Sequence, residues 1–216
     1  MPFAYPVMLE IAGRRCVVLG ADAVRAGKVE GLLAAGADDV LVVAEGPETK
    51  LDELETIEGV MIERRAWQAE DLNGAFVCVA ASRDPGERDA IAREARARHV
   101  LVNLLDDIPN CDWATPSVVR RGELIMAIST GGASPALAKK LRMLLTDEFG
   151  EEWSEVVSVL RQVRADTMSS LPSFSERARR WSDALDLDEA KGLVREGRTT
   201  ELASRLRDRL LDGVRT

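Results

Sequence analysis

The chain has 216 residues and a formal net charge of −8, and 46% of it is hydrophobic but only 4% aromatic. That is enough aliphatic surface for one sizeable core, or for one domain with a helical appendage. The acidic balance excludes general nucleic-acid binding, which needs a basic footprint, and no apolar run reaches the roughly 20 residues of a membrane span. The N-terminal MPFAYPVMLEIAGRR lacks the basic-then-apolar order of a secretory signal, so a cytoplasmic protein is expected.

In chain order, Arg15 to Gly20 (RCVVLG) reads as a buried strand ending in glycine. A helix follows over Val24 to Ala35, with Val24, Val29, Leu32 and Leu33 as its stripe and Gly36 as its stop. Further strands are expected at Val40–Ala44, Val60–Glu63, Ala75–Ala81 and Val100–Leu105, and a helix at Pro85–Arg98 after Asp84. Continuous apolar runs separated by helices imply a parallel sheet covered on both faces, with ligands outside the carboxyl ends of its strands. Two shorter strands, Ser117–Val119 and Leu124–Ser129, meet at Arg121-Gly122, and a helix opens at Pro135. The remainder reads as helical. Trp153, Val156, Val157, Leu160 and Val163 share one helical face, Leu171-Pro172-Ser173 breaks that helix, Phe174, Ala178, Trp181 and Leu185 line the next, and a charged helix closes the chain over about Thr200–Leu211.

The first strand–turn–helix is where a dinucleotide pyrophosphate would sit. Gly20 supplies the tight turn, but Asp22 occupies the position of close backbone approach, where its charge repels phosphate. An ordinary turn with Asp22 as N-cap is the alternative. Glu45, after the second strand, stands where a carboxylate would bond an adenosine ribose, or is a solvated loop acid. Asp106 and Asp107 follow the fifth strand. Adjacent carboxylates repel, so one of them is expected to hold its proton to higher pH and act as acid or base, unless the pair is only a turn signal. Ser129-Thr130-Gly131-Gly132-Ala133-Ser134 offers hydroxyls and N–H groups at a helix start, an arrangement suited to anions as well as to capping. Cys16 and Cys78 lie in apolar runs, and Cys111 reads as a packed loop thiol. With no CxxC or Cys/His pair, no permanent metal is expected. His99 is explained by the end of the basic helix that precedes it. The arginines of the C-terminal third are interleaved with acids and form a solvated face.

Tyr5-Pro6-Val7-Met8-Leu9, the turn at Gly20 with Lys28 in its helix, Val102-Asn103-Leu104-Leu105-Asp106, Cys111-Asp112-Trp113 with Pro116, and Ser129 to Pro135 together resemble the precorrin-2 dehydrogenase/sirohydrochlorin ferrochelatase family, in its stand-alone form. The resemblance implies a homodimer with a Rossmann-like NAD-binding domain (1–112), a small strand/helix dimerisation and active-site region (113–150) and a C-terminal helical region (151–216). It implies NAD-dependent oxidation of precorrin-2 to sirohydrochlorin, and in many members insertion of ferrous iron, which enters as a substrate. The family's catalytic aspartate falls on Asp106. The cofactor contacts fall on Gly20, Ala21, Asp22, Ala23, Val24, Ala44, Glu45, Ala81 and Ser82, and the contacts to the tetrapyrrole on Asn103, Ser129, Thr130, Gly131, Gly132 and Ser134. The chain departs from the family at Ala21-Asp22, where members carry glycines, and at Gly27, where they carry a basic residue. Two other expectations therefore stand beside the dehydrogenase: a chelatase or tetrapyrrole-binding protein without NAD, and a non-enzymatic nucleotide-sensing module.

Overall fold

A computed structural model describes residues 5–25, 27–46, 49–171 and 173–213. The expected break at Pro172 lies outside the described residues, as do the first four residues of the N-terminal segment. The chain divides into two compact units, 1–115 and 116–216. The strand/helix segment and the C-terminal helices, expected as separate regions, share the second unit.

The first unit is a five-stranded sheet of β1 (Arg15–Leu19), β2 (Asp39–Val43), β3 (Val60–Glu63), β4 (Ala75–Ala80) and β5 (Leu101–Leu104), in the order β3-β2-β1-β4-β5. Every pairing is parallel. In β1, Cys16 and Val18 pack into the core on one face while Val17 and Leu19 pack on the other. Burial on both faces is why the strand reads as an unbroken apolar run. Chain order reverses between β1 and β4, which makes their carboxyl ends the switch point of a doubly wound sheet.

One helix differs from expectation. In place of Val24–Ala35 there are α1 (Ala21–Arg25) and α2 (Lys28–Ala34), separated at Gly27 with φ +70°. Val24 and Val29 are five residues apart, and a continuous helix would place them on different faces. Turning the chain at Gly27 lets both be fully buried. A short helix, α3 (Thr49–Leu54), follows β2 without having been anticipated. Beyond β4, α4 (Pro85–Ala97) starts where the Asp84 side chain accepts from Gly86 N at 2.9 Å, and it ends at Arg98. His99 follows in the left-handed region (φ +58°), its N–H donating to Arg96 O at 3.1 Å. Its place is that of a helix-terminating residue.

In the second unit, β6 (Ser117–Arg121) and β7 (Leu124–Ile128) form an antiparallel hairpin followed by α5 (Pro135–Glu148). Then come α6 (Glu152–Thr167), α7 (Phe174–Ala184), α8 (Leu187–Arg195) and α9 (Thr199–Leu211). Trp153, Val156, Val159 and Val163 of α6 are buried against Leu193 of α8 and Leu202, Leu206 and Leu210 of α9. The apolar face of α6 is thus satisfied within its own unit and does not require a second chain. On α7 the stripe is only partly right. Phe174 and Ala178 are exposed, and Trp181 and Leu185 pack against the core. A further exposed apolar surface lies on α5, which has no buried residue and exposes Leu137, Leu141, Met143 and Leu144. Among the described residues no helix is long and apolar enough to cross a membrane.

Candidate active site at the switch point of the sheet

β1 and β4 stay paired to their last residues. Ala81 N donates to Leu19 O at 2.9 Å, and Gly20 N donates to Val43 O at 2.8 Å. Gly20 then takes φ +87°, and a Cβ there would collide with the Ala81 carbonyl oxygen. Glycine is required twice over, by the dihedral and by the approach. Past these ends the chains diverge around a cleft of about 510 Å³, lined by Asp22, Ala81, Ser82, Arg83, Arg88 and Asp106 among others. The cleft therefore joins the expected cofactor turn to the expected catalytic aspartate within one unit. Ala23 and Val24 are wholly buried and Ala44 nearly so. These three support the turn from beneath and offer no surface to a ligand.

Asp22 is not a bare charge. Arg83 Nε stands 3.6 Å from Asp22 Oδ2. On the far side of β2, Glu45 is exposed and its carboxylate has no hydrogen-bond or ion-pair partner among the described residues. Ser82 is held in place, since its hydroxyl meets Glu87, which also accepts from Trp67 Nε1 at 2.7 Å.

The two adjacent aspartates have opposite surroundings. Asp106 has φ +60°, is exposed, and its carboxylate has no partner among the described residues. Asp107 turns inward. Its Oδ2 accepts from Arg88 Nε at 3.2 Å and from Asn110 Nδ2 at 3.1 Å, and Arg88 Nη1 donates to Ser82 O at 2.9 Å. Asp107 thus ties the loop after β5 to α4 and to the end of β4. The arginine supplies the positive charge that offsets repulsion between the neighbours.

Asn103 is buried. Its amide nitrogen donates to Trp113 O at 2.9 Å, so the side chain positions the loop after β5, while its Oδ1 accepts no hydrogen bond among the described residues. Cys111 is the packed thiol expected of it, donating toward Leu104 O at 3.1 Å and accepting from Leu104 N at 3.1 Å. Burial pushes its pKa upward, as it pushes Cys16 to about 11 and Cys78 to about 12. Lys28 donates to Thr115 Oγ1 at 3.1 Å, and burial lowers its pKa.

In the second unit the Ser129–Ser134 turn spends most of its hydroxyls on itself. Ser134 Oγ caps α5 by accepting from Leu137 N at 3.1 Å, and Thr130 Oγ1 accepts from Ser134 N at 3.1 Å while donating to Ser134 O at 3.2 Å. Ser129 Oγ accepts from Gly131 N at 3.2 Å, which leaves its own proton available. The Gly132 N–H makes no hydrogen bond among the described residues. What the turn offers an anion is therefore this N–H and the Ser129 hydroxyl, on a fourteen-residue helix.

Sequence reasoning missed Arg83, Arg88 and Glu87. The only signal for them was position, just beyond a strand's carboxyl end and in the first turn of the next helix. Which way each side chain points depends on neighbours remote in sequence. Among the described residues no group of three or more His, Cys, Asp or Glu side chains is placed to hold a metal ion.

Residues 7–117 match the family model described as "Putative NAD(P)-binding", and residues 121–148 match one described as "Sirohaem biosynthesis protein central". The chain is 29% identical over 206 residues to the siroheme synthase of Pseudoalteromonas atlantica, covering 95% of this chain and 44% of that protein. It is 31% identical over 201 residues to siroheme synthase 1 of Serratia proteamaculans, covering 93% and 42%. The chain thus spans less than half the length of these relatives. Among solved structures it is similar to SirC, a precorrin-2 dehydrogenase, with 25% identity and a TM-score of 0.69, covering 95% of this chain and 100% of that one.

Proposed function

For a chain that belongs to the NAD(P)-binding family of sirohaem biosynthesis, we propose that it is an NAD-dependent dehydrogenase that oxidises precorrin-2 to sirohydrochlorin. The observation that carries this is Asp106, an exposed and unpartnered carboxylate on the same cleft as the Gly20 turn. Conjugation of the macrocycle releases a hydride and a proton. NAD, when bound, supplies the hydride acceptor. Asp106 takes the proton, for which an accessible carboxylate with no competing donor is suited.

The residues present fit a dinucleotide. Gly20 lets the turn pass against the Ala81 carbonyl without a side chain, Asp22 in the first turn of α1 lines the cleft, and Ala81 and Ser82 line it from the end of β4. Glu45 is free to bond a ribose diol, and its charge opposes a 2′-phosphate, which favours NAD over NADP. The tetrapyrrole carries several carboxylates, and the Ser129 hydroxyl and Gly132 N–H, with Thr130, Gly131 and Ser134 fixing the turn, are suitable hosts. The exposed apolar face of α5 supports a homodimer. Insertion of ferrous iron into the product is the second activity that Asp106 favours, because the same carboxylate would accept the pyrrole N–H protons displaced by the metal.

NAD titration followed by tryptophan emission, with Trp67 tied through Glu87 to Ser82, tests binding, and NADH appearance on adding precorrin-2 tests turnover. Saturable quenching and NADH formation are expected. Quenching without turnover would indicate a nucleotide-sensing module, and tetrapyrrole binding without NAD binding a carrier or chelatase.

A further inference from the structure

Two features of the turn at Gly20 work against phosphate. Asp22 places a negative charge at the point of closest approach, and the helix that should present its positive end is cut short, because α1 has only five residues before the chain turns left-handed at Gly27. A single turn aligns too few peptide dipoles to offset a full unit charge. If NAD binds here, cationic help has to come from elsewhere on the cleft.

The cleft has two arginines. Arg88 is committed, since its guanidinium bonds the Asp107 carboxylate and the Ser82 carbonyl. Arg83 is not. Its side chain is 89% exposed, and its Nε stands 3.6 Å from Asp22 Oδ2. Nη1 and Nη2 make no hydrogen bond among the described residues. A planar guanidinium beside a carboxylate, with both terminal nitrogens making no hydrogen bond among the described residues, is a suitable partner for a second anion.

We propose that Arg83 is a phosphate-binding residue of the dinucleotide site: it neutralises Asp22 and presents its terminal N–H groups to the pyrophosphate, in place of the attraction that a full-length helix start would provide. The proposal rests on the NAD-dependent function above. Asp22 in turn has a positive role, because its charge draws the arginine toward the turn.

The test is NAD affinity at low and high salt for the full chain and for Arg83→Ala, Arg83→Lys, Asp22→Gly, the double variant Asp22→Gly/Arg83→Ala, and Arg93→Ala on the exposed face of α4. Removing one unit charge near phosphate in a high-dielectric setting weakens binding about five-fold, so Arg83→Ala is expected to bind NAD roughly five-fold more weakly at low salt. Arg83→Lys should keep most of the affinity. The double variant should return to within about three-fold of the unsubstituted chain, Arg93→Ala should change nothing, and the Arg83 effect should shrink in high salt. Normal NAD binding by Arg83→Ala, or a loss that high salt does not reduce, overturns the role of Arg83 and leaves the dehydrogenase function standing. Absence of NAD binding by the unsubstituted chain overturns both.

Discussion

Arg88 Nε stands 3.2 Å from Asp107 Oδ2, while the neighbouring Asp106 carboxylate faces solvent without a partner. One arginine thus divides two chemically identical side chains into an anchor and a free base.

Substitution should separate these roles. Asparagine accepts the left-handed backbone of Asp106 (φ +60°) readily, so Asp106→Asn should fold normally, keep NAD affinity and lose the ~10²–10⁴ in turnover typical of a general base. Asp107→Asn should lower stability by about 1 kcal/mol, because it weakens a half-buried charged hydrogen bond, with a smaller loss of turnover. Melting curves alongside NADH formation check this. Equal turnover losses with equal melting shifts would make both residues structural.

Gly20→Ala should be costly. A left-handed dihedral costs an L-residue roughly 1–2 kcal/mol, and the new methyl also meets the Ala81 carbonyl oxygen. A denaturant midpoint indicating a loss of at least about 2 kcal/mol is expected, and an unchanged midpoint would mean that β4 can move away from the turn.

Acid stability should depend on Asp71. Arg65 grips its carboxylate with two bonds of 2.6 and 2.9 Å, and Gln68 N adds a third at 2.7 Å. The Arg65 hydrogen bonds, first of all, hold its pKa below the usual carboxylate range. A depressed folded pKa contributes stability that is complete above the unfolded value of about 3.9 and is lost as pH falls through the folded one. Asp71→Asn should therefore cost about 2 kcal/mol at pH 7, and the gap to the unsubstituted chain should close below about pH 4. A gap independent of pH would exclude the ion pair as its source.

Assembly should depend on α5. Leu137, Leu141 and Leu144 lie at helical spacing and are all exposed, Leu144 by 65%. Leu144→Asp should shift a sedimenting dimer to monomer without lowering the monomer's melting temperature. A native chain that sediments as a monomer at micromolar concentration would remove the proposed role of this face.

The sequence by itself determined the parallel sheet, because runs such as Cys16–Leu19 and Val77–Ala80 are buried on both faces and so carry no alternation. It also marked the positions of Gly20, Asp106 and the Ser129–Ser134 turn, since tight turns and helix starts need particular residues locally. Tertiary structure decided what composition and spacing do not encode. Whether Asp106 or Asp107 faces the cleft depends on Arg88, nineteen residues from Asp107. That Arg83 stands beside Asp22 is likewise set by packing, since it comes from a different strand end. The apolar face of α6 is legible as a stripe in sequence, but that it is a core depends on α8 and α9 covering it, while α5 has no buried residue. Local patterns report which residues must be buried or turned, and the identity of the partner that buries or neutralises them is set only when distant segments pack.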